Sequence, residues 1–270
     1  MQTVLTKRES LVAIHLYQEY FCSQEPERQK EIDSCIIKNA RNRLITSFSV
    51  YADPIALRRL SSLSKDHTKL QIVEVSERLT FSRWIKDAIC QRGKAFAVLA
   101  NSDIVFDRSL SFLDIVSTNN LFACISRHNH YSLESGPENT QDCWVLHPSN
   151  LTINRISNFI DSSNFTLGIP GCDNRFAAIA HESGLSVVNL CDYIMIHHIH
   201  RSEIRSYELK SRLHGTYCLV QPATATGRDS EGGLILRSAV KYFSSLEIHG
   251  REDSSNPLVR SLRASSNRLG

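Results

Sequence analysis

The sequence predicts an α/β fold, with a mainly parallel sheet flanked by helices and a less regular C-terminal half. Over the first 107 residues, short apolar runs of strand length alternate with amphipathic segments of helical periodicity. Helix-starting pairs such as Asp53-Pro54 separate the two kinds of segment. This alternation is typical of βαβ units, whose right-handed crossovers place helices on both faces of the sheet.

Four strands and three helices are predicted in this first half. Apolar runs predict strands at residues 11–16, 44–50, 70–75 and 96–100. The helices are predicted to begin at Glu25-Pro26, at Asp53-Pro54 and at Thr80, and the third to end at Gly93.

The first helix shows how its two faces are assigned. Ile32, Cys35 and Ile36 recur at helical spacing, so we expect them on the inner face. Arg28 and the charged residues beside it are expected on the outer face, toward solvent.

The second half is predicted to be less regular. Helices are expected over residues 109–116 and 175–182, and strands over 121–125, 143–146, 185–190 and 193–199. Residues 150–164, rich in Ser and Asn, are interpreted as connecting material, and residues 222–233 as a flexible loop or linker. No domain boundary is evident before residue 205.

The composition limits the classes of protein to consider. With 41% hydrophobic and 22% charged residues, the 270-residue chain has the make-up of a soluble globular protein. A net charge of +3 without a Lys/Arg block argues against nucleic acid as a partner. Eight cysteines without a Cys-x-x-Cys pair argue against structural zinc and for a reducing compartment.

The expected location is cytoplasmic. No apolar run has the length needed to cross a membrane, and the first residues lack the apolar core of a signal peptide. Peripheral membrane association and the oligomeric state are left open by the sequence.

Residues 96–107, FAVLANSDIVFD, are the most informative segment. The apolar run ends at Asn101-Ser102-Asp103, so a carboxylate follows directly after a buried strand. Because open α/β sheets bind ligands at the carboxyl ends of their strands, Asp103 is a candidate ligand for a divalent metal that holds a nucleotide diphosphate. The alternative is an Asn-Ser-Asp turn that only caps the strand.

A second segment, GIPGCDN, begins at Gly168 and predicts a tight turn that delivers Asp173 to the start of a helix. Asp is a favoured residue at helix starts and needs no function there. The functional interpretation makes Asp173 a general base near an acceptor hydroxyl, or a polar contact to substrate.

Three histidines, His197, His198 and His200, lie at the end of a predicted strand. Because side chains alternate along a strand, His198 and His200 share a face and both can reach one metal ion, whereas His197 points the other way. The alternative is a set of structural or surface histidines.

Two weaker candidates for binding residues are the pair Asp142 and Trp144 and the single residue Arg127. Asp142 beside an exposed Trp144 would bind a sugar, with the ring stacking on its apolar face, whereas a core Trp144 would have no such role. Arg127 is either a phosphate contact or a surface charge.

In this order, the segments resemble the nucleotide-sugar-dependent glycosyltransferases of the GT-A fold. The chain is most similar to a bacterial glycosyltransferase-like group with A-N-S-D-I-x-F-D, Asp-x-Trp, G-x-x-G-C-D-N-R and H-x-H-x-S motifs, and the resemblance covers roughly residues 11–207. It departs from the family pattern at Asn101, where the D-x-D motif of such enzymes begins with Asp.

The resemblance implies a division of the chain. A GT-A-like domain would span residues 1–207, with a nucleotide-binding half (1–107) and an acceptor and metal half (108–207). Residues 208–270 would form a partly flexible C-terminal extension.

The resemblance also implies roles for particular residues. Asp103 and His200 would hold Mn²⁺ or Mg²⁺ across the diphosphate of a UDP- or GDP-linked sugar donor, with His198 as the competing ligand. Asp173 would deprotonate the acceptor hydroxyl if the reaction inverts. The remaining contacts would come from Asn101, Ser102 and Arg127 on the donor side, and from Asp142, Trp144, Gly171, Cys172 and Asn174 on the sugar and acceptor side.

Two other functions remain open from the sequence. A metal-dependent hydrolase of phosphoesters or nucleotides would use Asp103 and the histidines equally well. A catalytically degenerate module that binds a glycan or a nucleotide would explain Asn101.

Overall fold

A computed structural model describes most of the chain, namely residues 12–91, 95–129, 132–134, 136–151, 153–199 and 212–244. The predicted helix end at Gly93 and the candidate ligand His200 lie outside these residues.

The described residues form five α-helices and fifteen strands, three short 3₁₀ helices aside. The helices are α1 (Pro26–Arg41), α2 (Pro54–Ser64), α3 (Phe81–Cys90), α4 (Ile153–Ser162) and α5 (Cys172–Glu182). The strands are β1 (Ile14–Tyr20), β2 (Ser47–Ala52), β3 (Leu70–Glu74), β4 (Phe96–Ala100), β5 (Ile104–Phe106), β6 (Leu121–Ser126), β7 (His128–Asn129), β8 (Ser132–Leu133), β9 (Gln141–Leu146), β10 (Ser186–Asn189), β11 (Ile196–His198), β12 (Thr216–Val220), β13 (Thr224–Arg228), β14 (Leu234–Arg237) and β15 (Val240–Ser244).

The main sheet has seven strands in the order β10-β6-β9-β4-β1-β2-β3. Its neighbours are parallel except at β9, which runs antiparallel to both β4 and β6. A smaller sheet, in the order β5-β11-β7-β8, adjoins it. The predicted α/β class with a mainly parallel sheet is confirmed.

Apolar side chains cover both faces of this sheet, as the βαβ pattern predicts. On β1, Leu16 belongs to the cluster that includes Ile32 of α1, whereas Tyr17 belongs to the cluster that includes Trp84 of α3. Adjacent residues of a strand point to opposite faces, so helices on both sides are needed to bury them. Among the described helices, none has both the length and the apolarity needed to span a membrane.

The predicted helix starts are confirmed, and two of the three have a side-chain cap. Pro26 begins α1, and Asp53 caps α2 by accepting a hydrogen bond from the Ala56 backbone N–H at 2.8 Å. Thr80 caps α3 in the same way, with the Arg83 N–H at 3.1 Å. Each cap satisfies a backbone donor that the helix itself leaves without a partner.

Three predictions for the second half were wrong. Residues 150–164 contain α4, whose Ile156, Phe159 and Ile160 recur at helical spacing among Ser and Asn residues. The stretch over residues 222–233 includes β13, which pairs with β14 but is exposed along its length, so no apolar alternation marks it as a strand. The helix expected over residues 109–116 is instead a 3₁₀ helix, Arg108–Asp114, capped by the Asp107 side chain.

Residues 212–244 pack against the preceding chain. Strand β12 pairs with β15 and contacts α5, and its Tyr217, Cys218 and Val220 are fully buried. Tyr217 covers Gly171, whose φ of 80° lies in the left-handed region that favours glycine. A Cβ atom at residue 171 would lie 2.6 Å from Cε1 of the Tyr217 ring, so both the backbone and the packing require glycine.

The substitution Gly171→Ala is therefore expected to lower the free energy of unfolding by about 2–4 kcal/mol, the sum of backbone strain and overpacking. The matched control is Gly232→Ala, because Gly232 has a φ of 85° and nothing within 4 Å of its added Cβ. The control should lose only about 1–2 kcal/mol in chemical denaturation. Equal losses in the two variants would show that Tyr217 does not restrict residue 171.

Candidate active site

The carboxyl edge of the main sheet brings together residues that are far apart in sequence. Asn101 follows β4 directly, and Asp142 is the second residue of β9, which starts at this edge because it runs against β4. The Asn101 side-chain amide donates to Oδ1 of Asp142 at 2.6 Å, and its backbone N–H donates to the Asp142 carbonyl oxygen at 3.0 Å. The two strand ends are thus fastened to each other.

The contact with Asp142 gives a physical reason for Asn at residue 101. The amide donates a hydrogen bond to a buried carboxylate, which an ionised Asp at this place could not do. Two carboxylates at such a distance would repel each other or share a proton. Ser102 also bonds within the protein, because its hydroxyl donates to the Glu19 carbonyl oxygen at 2.7 Å.

Asp103 is buried and ion-paired. Its Oδ2 atom lies 2.6 Å from Nη2 of Arg28 and 3.2 Å from Nε2 of His198. Burial alone would raise the pKa of Asp103, but the hydrogen bonds and charges of His198 and Arg28 outweigh it and hold the pKa well below the usual range. The carboxylate is therefore ionised at neutral pH.

Arg28 was missed by the sequence analysis, which placed it on the outer face of α1. It is only partly exposed, and it reaches from the first turn of α1 to Asp103 in the turn between β4 and β5. One signal was present: residues 28, 32, 35 and 39 follow each other at helical spacing, and the last three are buried. Arg28 extends that inward stripe by one turn.

The histidines of β11 point in opposite directions, as the strand alternation predicts. His198 contacts Asp103, whereas Nε2 of His197 lies 3.0 Å from Oδ2 of Asp107. Asp107 also accepts a hydrogen bond from the Ser109 backbone N–H at 2.8 Å. His197 therefore ties β11 to the 3₁₀ helix, and His198 faces the candidate site.

Arg127 lies on the other side of Asp142 and is held by carboxylates. Its Nε is 2.6 Å from Glu134, and its Nη1 is 3.1 Å from Asp142. Burial raises the pKa of Asp142; the positive charge of Arg127 opposes this rise, and the negative charge of Asp103 adds to it. The structure therefore places Arg127 in an ion-pair network rather than on a free surface.

Asp173 lies in the first turn of α5, which begins at Cys172 with Gly171 as the residue before it. Burial raises the pKa of Asp173 to about 6; the backbone N–H of Asn174 opposes this rise, and the charge of Asp142 adds to it. Asp142 thus interacts electrostatically with both Asp103 and Asp173. We call Asp103, Asp142 and Asp173 the carboxylate cluster.

The residues around Asp173 hold the helix start in place. Cys172 is buried, and burial raises the pKa of its thiol. In the orientation that satisfies its hydrogen bonds, the Asn174 amide nitrogen donates to the carbonyl oxygens of Cys218 and Glu138, both at 3.1 Å. These contacts place Cys172 and Asn174 in the support of Asp173.

Trp144 belongs to the core, which is the alternative that the sequence left open. It is 1% exposed, and its ring lies edge-on to Phe81 with the centroids 4.8 Å apart. The ring therefore offers no exposed face on which a sugar could stack.

Asp103 and His198 supply a carboxylate oxygen and an imidazole nitrogen, two kinds of atom that bind divalent cations. In this structure Asp103 Oδ2 and His198 Nε2 are 3.2 Å apart and hydrogen-bonded, so a cation held by both would replace that hydrogen bond and require Nε2 without its proton. Arg28 competes for the same oxygen. Within the described part of the chain, no three His, Cys, Asp or Glu side chains are grouped as a metal site, and Mg²⁺ commonly binds through one or two carboxylates together with phosphates and water.

Comparisons with known proteins give structural likenesses only. No protein-family model matches the sequence, and no curated protein matches it. A mannosyltransferase from Pyrobaculum calidifontis, in complex with GDP-Man and Mn²⁺, is 11% identical with a TM-score of 0.44; the match covers 74% of this chain and 62% of that one. A 4-diphosphocytidyl-2C-methyl-D-erythritol synthase from Anaerococcus prevotii is 7% identical with a TM-score of 0.45. This match covers 74% of this chain and 92% of the synthase.

This chain thus spans less than two thirds of the length of the mannosyltransferase.

The raised pKa of Asp173 predicts a pH-dependent effect on stability. The folded chain keeps this proton up to a pH of about 6, whereas the unfolded chain loses it near the ordinary value of 3.8. The folded state therefore binds more protons between these values, so the free energy of unfolding falls as the pH rises through this window. An amide at residue 173 does not titrate, so replacing the carboxyl by an amide removes this fall in the free energy of unfolding.

We therefore expect Asp173→Asn to be more stable than the wild type at pH 7 by about 1–3 kcal/mol, and equally stable at pH 4. Chemical denaturation at both pH values measures the difference. The exposed Asp161 on α4 supplies the control variant Asp161→Asn, which should not show this pH dependence. A stability difference for Asp173→Asn that is the same at both pH values would contradict the prediction.

Proposed function

We propose that this chain is a metal-dependent glycosyltransferase, which moves a sugar from a UDP- or GDP-linked donor to a hydroxyl of a glycan, a lipid-linked acceptor or a protein. One observation carries the proposal. An ionised carboxylate with an imidazole beside it, and a second carboxyl with a pKa near 6, both interact electrostatically with the buried Asp142. Asp103 and His198 are suitable ligands for a cation, and Asp173 is suitable as a general base.

The charge balance of the site supports a need for a cation. Two arginines face four carboxylates here, in the pairs and networks formed by Arg28 and Arg127 with Glu31, Asp103, Glu134 and Asp142. A nucleoside diphosphate carries negative charge and would be repelled by this excess of carboxylates. A divalent cation at Asp103 would offset the repulsion.

Asp103 and His198 are the residues proposed to hold the cation, and His200 is the third proposed ligand, outside the described residues. When bound, Mn²⁺ or Mg²⁺ would act as a Lewis acid on the leaving nucleoside diphosphate. Asn101 fixes Asp142, and Ser102 anchors the turn to β1, so that Asp103 is presented from a rigid strand end.

Asp173 is the proposed base. With a pKa near 6 it is largely ionised at neutral pH, and it remains basic enough to accept a proton from a hydroxyl. Its place in the first turn of α5 favours the carboxylate form once the proton has left for solvent. Gly171, Cys172 and Asn174 would act by holding that turn.

A second candidate, a module that binds a nucleotide or a glycan without turnover, is favoured by two contacts. Arg28 lies on the same Asp103 oxygen that a cation needs, and the amide of Asn101 occupies Asp142. The activity assay below separates this candidate from an enzyme.

Binding is the first test. We expect UDP or GDP to bind the wild type in the presence of Mn²⁺ and much more weakly in its absence. Asp103→Asn should weaken binding at least about tenfold, because a neutral amide is a poor ligand for a hard cation. Calorimetry measures both affinities, with Asp161→Asn as the control. Absence of binding by the wild type, or equal binding by Asp103→Asn, would count against the proposal.

Turnover is the second test. Asp173→Asn should retain nucleoside diphosphate binding but lose about 100-fold or more in the rate of transfer, the usual contribution of a general base. The measurement is release of nucleoside diphosphate from a panel of nucleotide sugars, with and without hydroxyl acceptors. Release that does not respond to any acceptor would favour a hydrolase, and binding without release would favour the non-catalytic module.

A further inference from the structure

Arg28 joins three parts of the candidate site. Its Nη2 donates to Asp103 at 2.6 Å, while its Nη1 donates to Glu31 at 3.1 Å and to the Ile199 carbonyl oxygen at 3.4 Å. The Ile199 backbone N–H donates in turn to the Asp103 carbonyl oxygen at 2.8 Å. The guanidinium thus lies where α1, the turn after β4 and the end of β11 meet.

The guanidinium keeps hydrogen-bonding capacity for a ligand. An arginine side chain has five N–H donors, and the three hydrogen bonds of Arg28 to described residues come from Nη1 and Nη2, leaving Nε without a partner among those residues. The side chain also retains 16% exposure, slightly more than that of Asp103. A phosphate oxygen matches the geometry of such a donor fork.

The contact with Asp103 conflicts with metal binding. A cation at Oδ2 of Asp103 would lie next to the Nη2 atom that is now 2.6 Å from that oxygen, and the two positive charges would repel each other. Glu31 holds the other branch of the guanidinium, so the side chain can leave Asp103 without leaving the site.

We propose that Arg28 is a phosphate-binding residue that exchanges partners, leaving Asp103 when a divalent cation and the diphosphate of a nucleotide bind together. This inference rests on the proposed function, because the diphosphate is that of the donor. In the unliganded protein Arg28 neutralises Asp103, and in the complex the cation takes over that task while Arg28 binds phosphate oxygen.

The exchange predicts opposite effects on two affinities. In Arg28→Gln, Mn²⁺ alone should bind about threefold to tenfold more tightly, because its competitor for Asp103 has gone. UDP or GDP at saturating Mn²⁺ should bind about tenfold more weakly, because a charge-assisted hydrogen bond to phosphate is lost. Calorimetry measures both affinities, and the paramagnetic resonance of free Mn²⁺ gives an independent reading of the first.

Two further variants complete the design. Arg28→Lys should shift both affinities in the same directions by smaller factors, since lysine keeps the charge but not the fork, and it serves as the test if the Gln variant does not fold. Lys30→Gln is the control, because Lys30 is an exposed cation of the same helix, paired with Glu27 at 2.6 Å. It should change neither affinity.

Each outcome has one meaning. Opposite shifts in the two affinities support the exchange of partners. If both affinities fall together, Arg28 only supports the fold of the site; if neither changes, it does not contact the ligands; either result overturns the inference and leaves the proposed function standing. A wild type that binds neither Mn²⁺ nor a nucleoside diphosphate overturns the proposed function itself.

Discussion

Strand β9 is the constraint on which the rest of the site depends. It lies between β4 and β6 and runs against both, so its first residues share an edge with the last residues of its neighbours. This places Asp142 beside Asn101, and Asp142 interacts electrostatically with both Asp103 and Asp173. A parallel strand in the same place would carry residue 142 to the opposite edge of the sheet.

Local signals made much of the fold predictable. Pro26, Asp53 and Thr80 mark helix starts by chemistry that acts within one turn, and the apolar runs of β1 and β4 mark buried strands. Asp103, His198 and Asp173 were also predictable as candidates, because each lies close to the end or the start of a regular element. The direction of β9 was not predictable from the sequence, because a short apolar run looks the same for a parallel and an antiparallel strand.

The features that the sequence missed or left open depend on long-range contacts. Arg28 is of a residue type usually found at the surface, and the partners that hold it inward include Asp103, 75 positions away. Trp144 lies two positions after the site residue Asp142, yet its ring packs against Phe81 and Phe176. Strand β13 is exposed, so its pairing with β14 leaves no hydrophobic pattern. In each case a partner distant in sequence decides the structure.

The contact between Tyr217 and Gly171 has a consequence for biosynthesis. On a ribosome, residue 217 leaves the exit tunnel well after residue 171, so the helix that carries Asp173 has no cover for part of translation. The nascent chain can form the pairing of β1, β2 and β4 long before that. The start of the helix that carries Asp173 is consequently covered last, after the part of the sheet that precedes Asp103 has already formed.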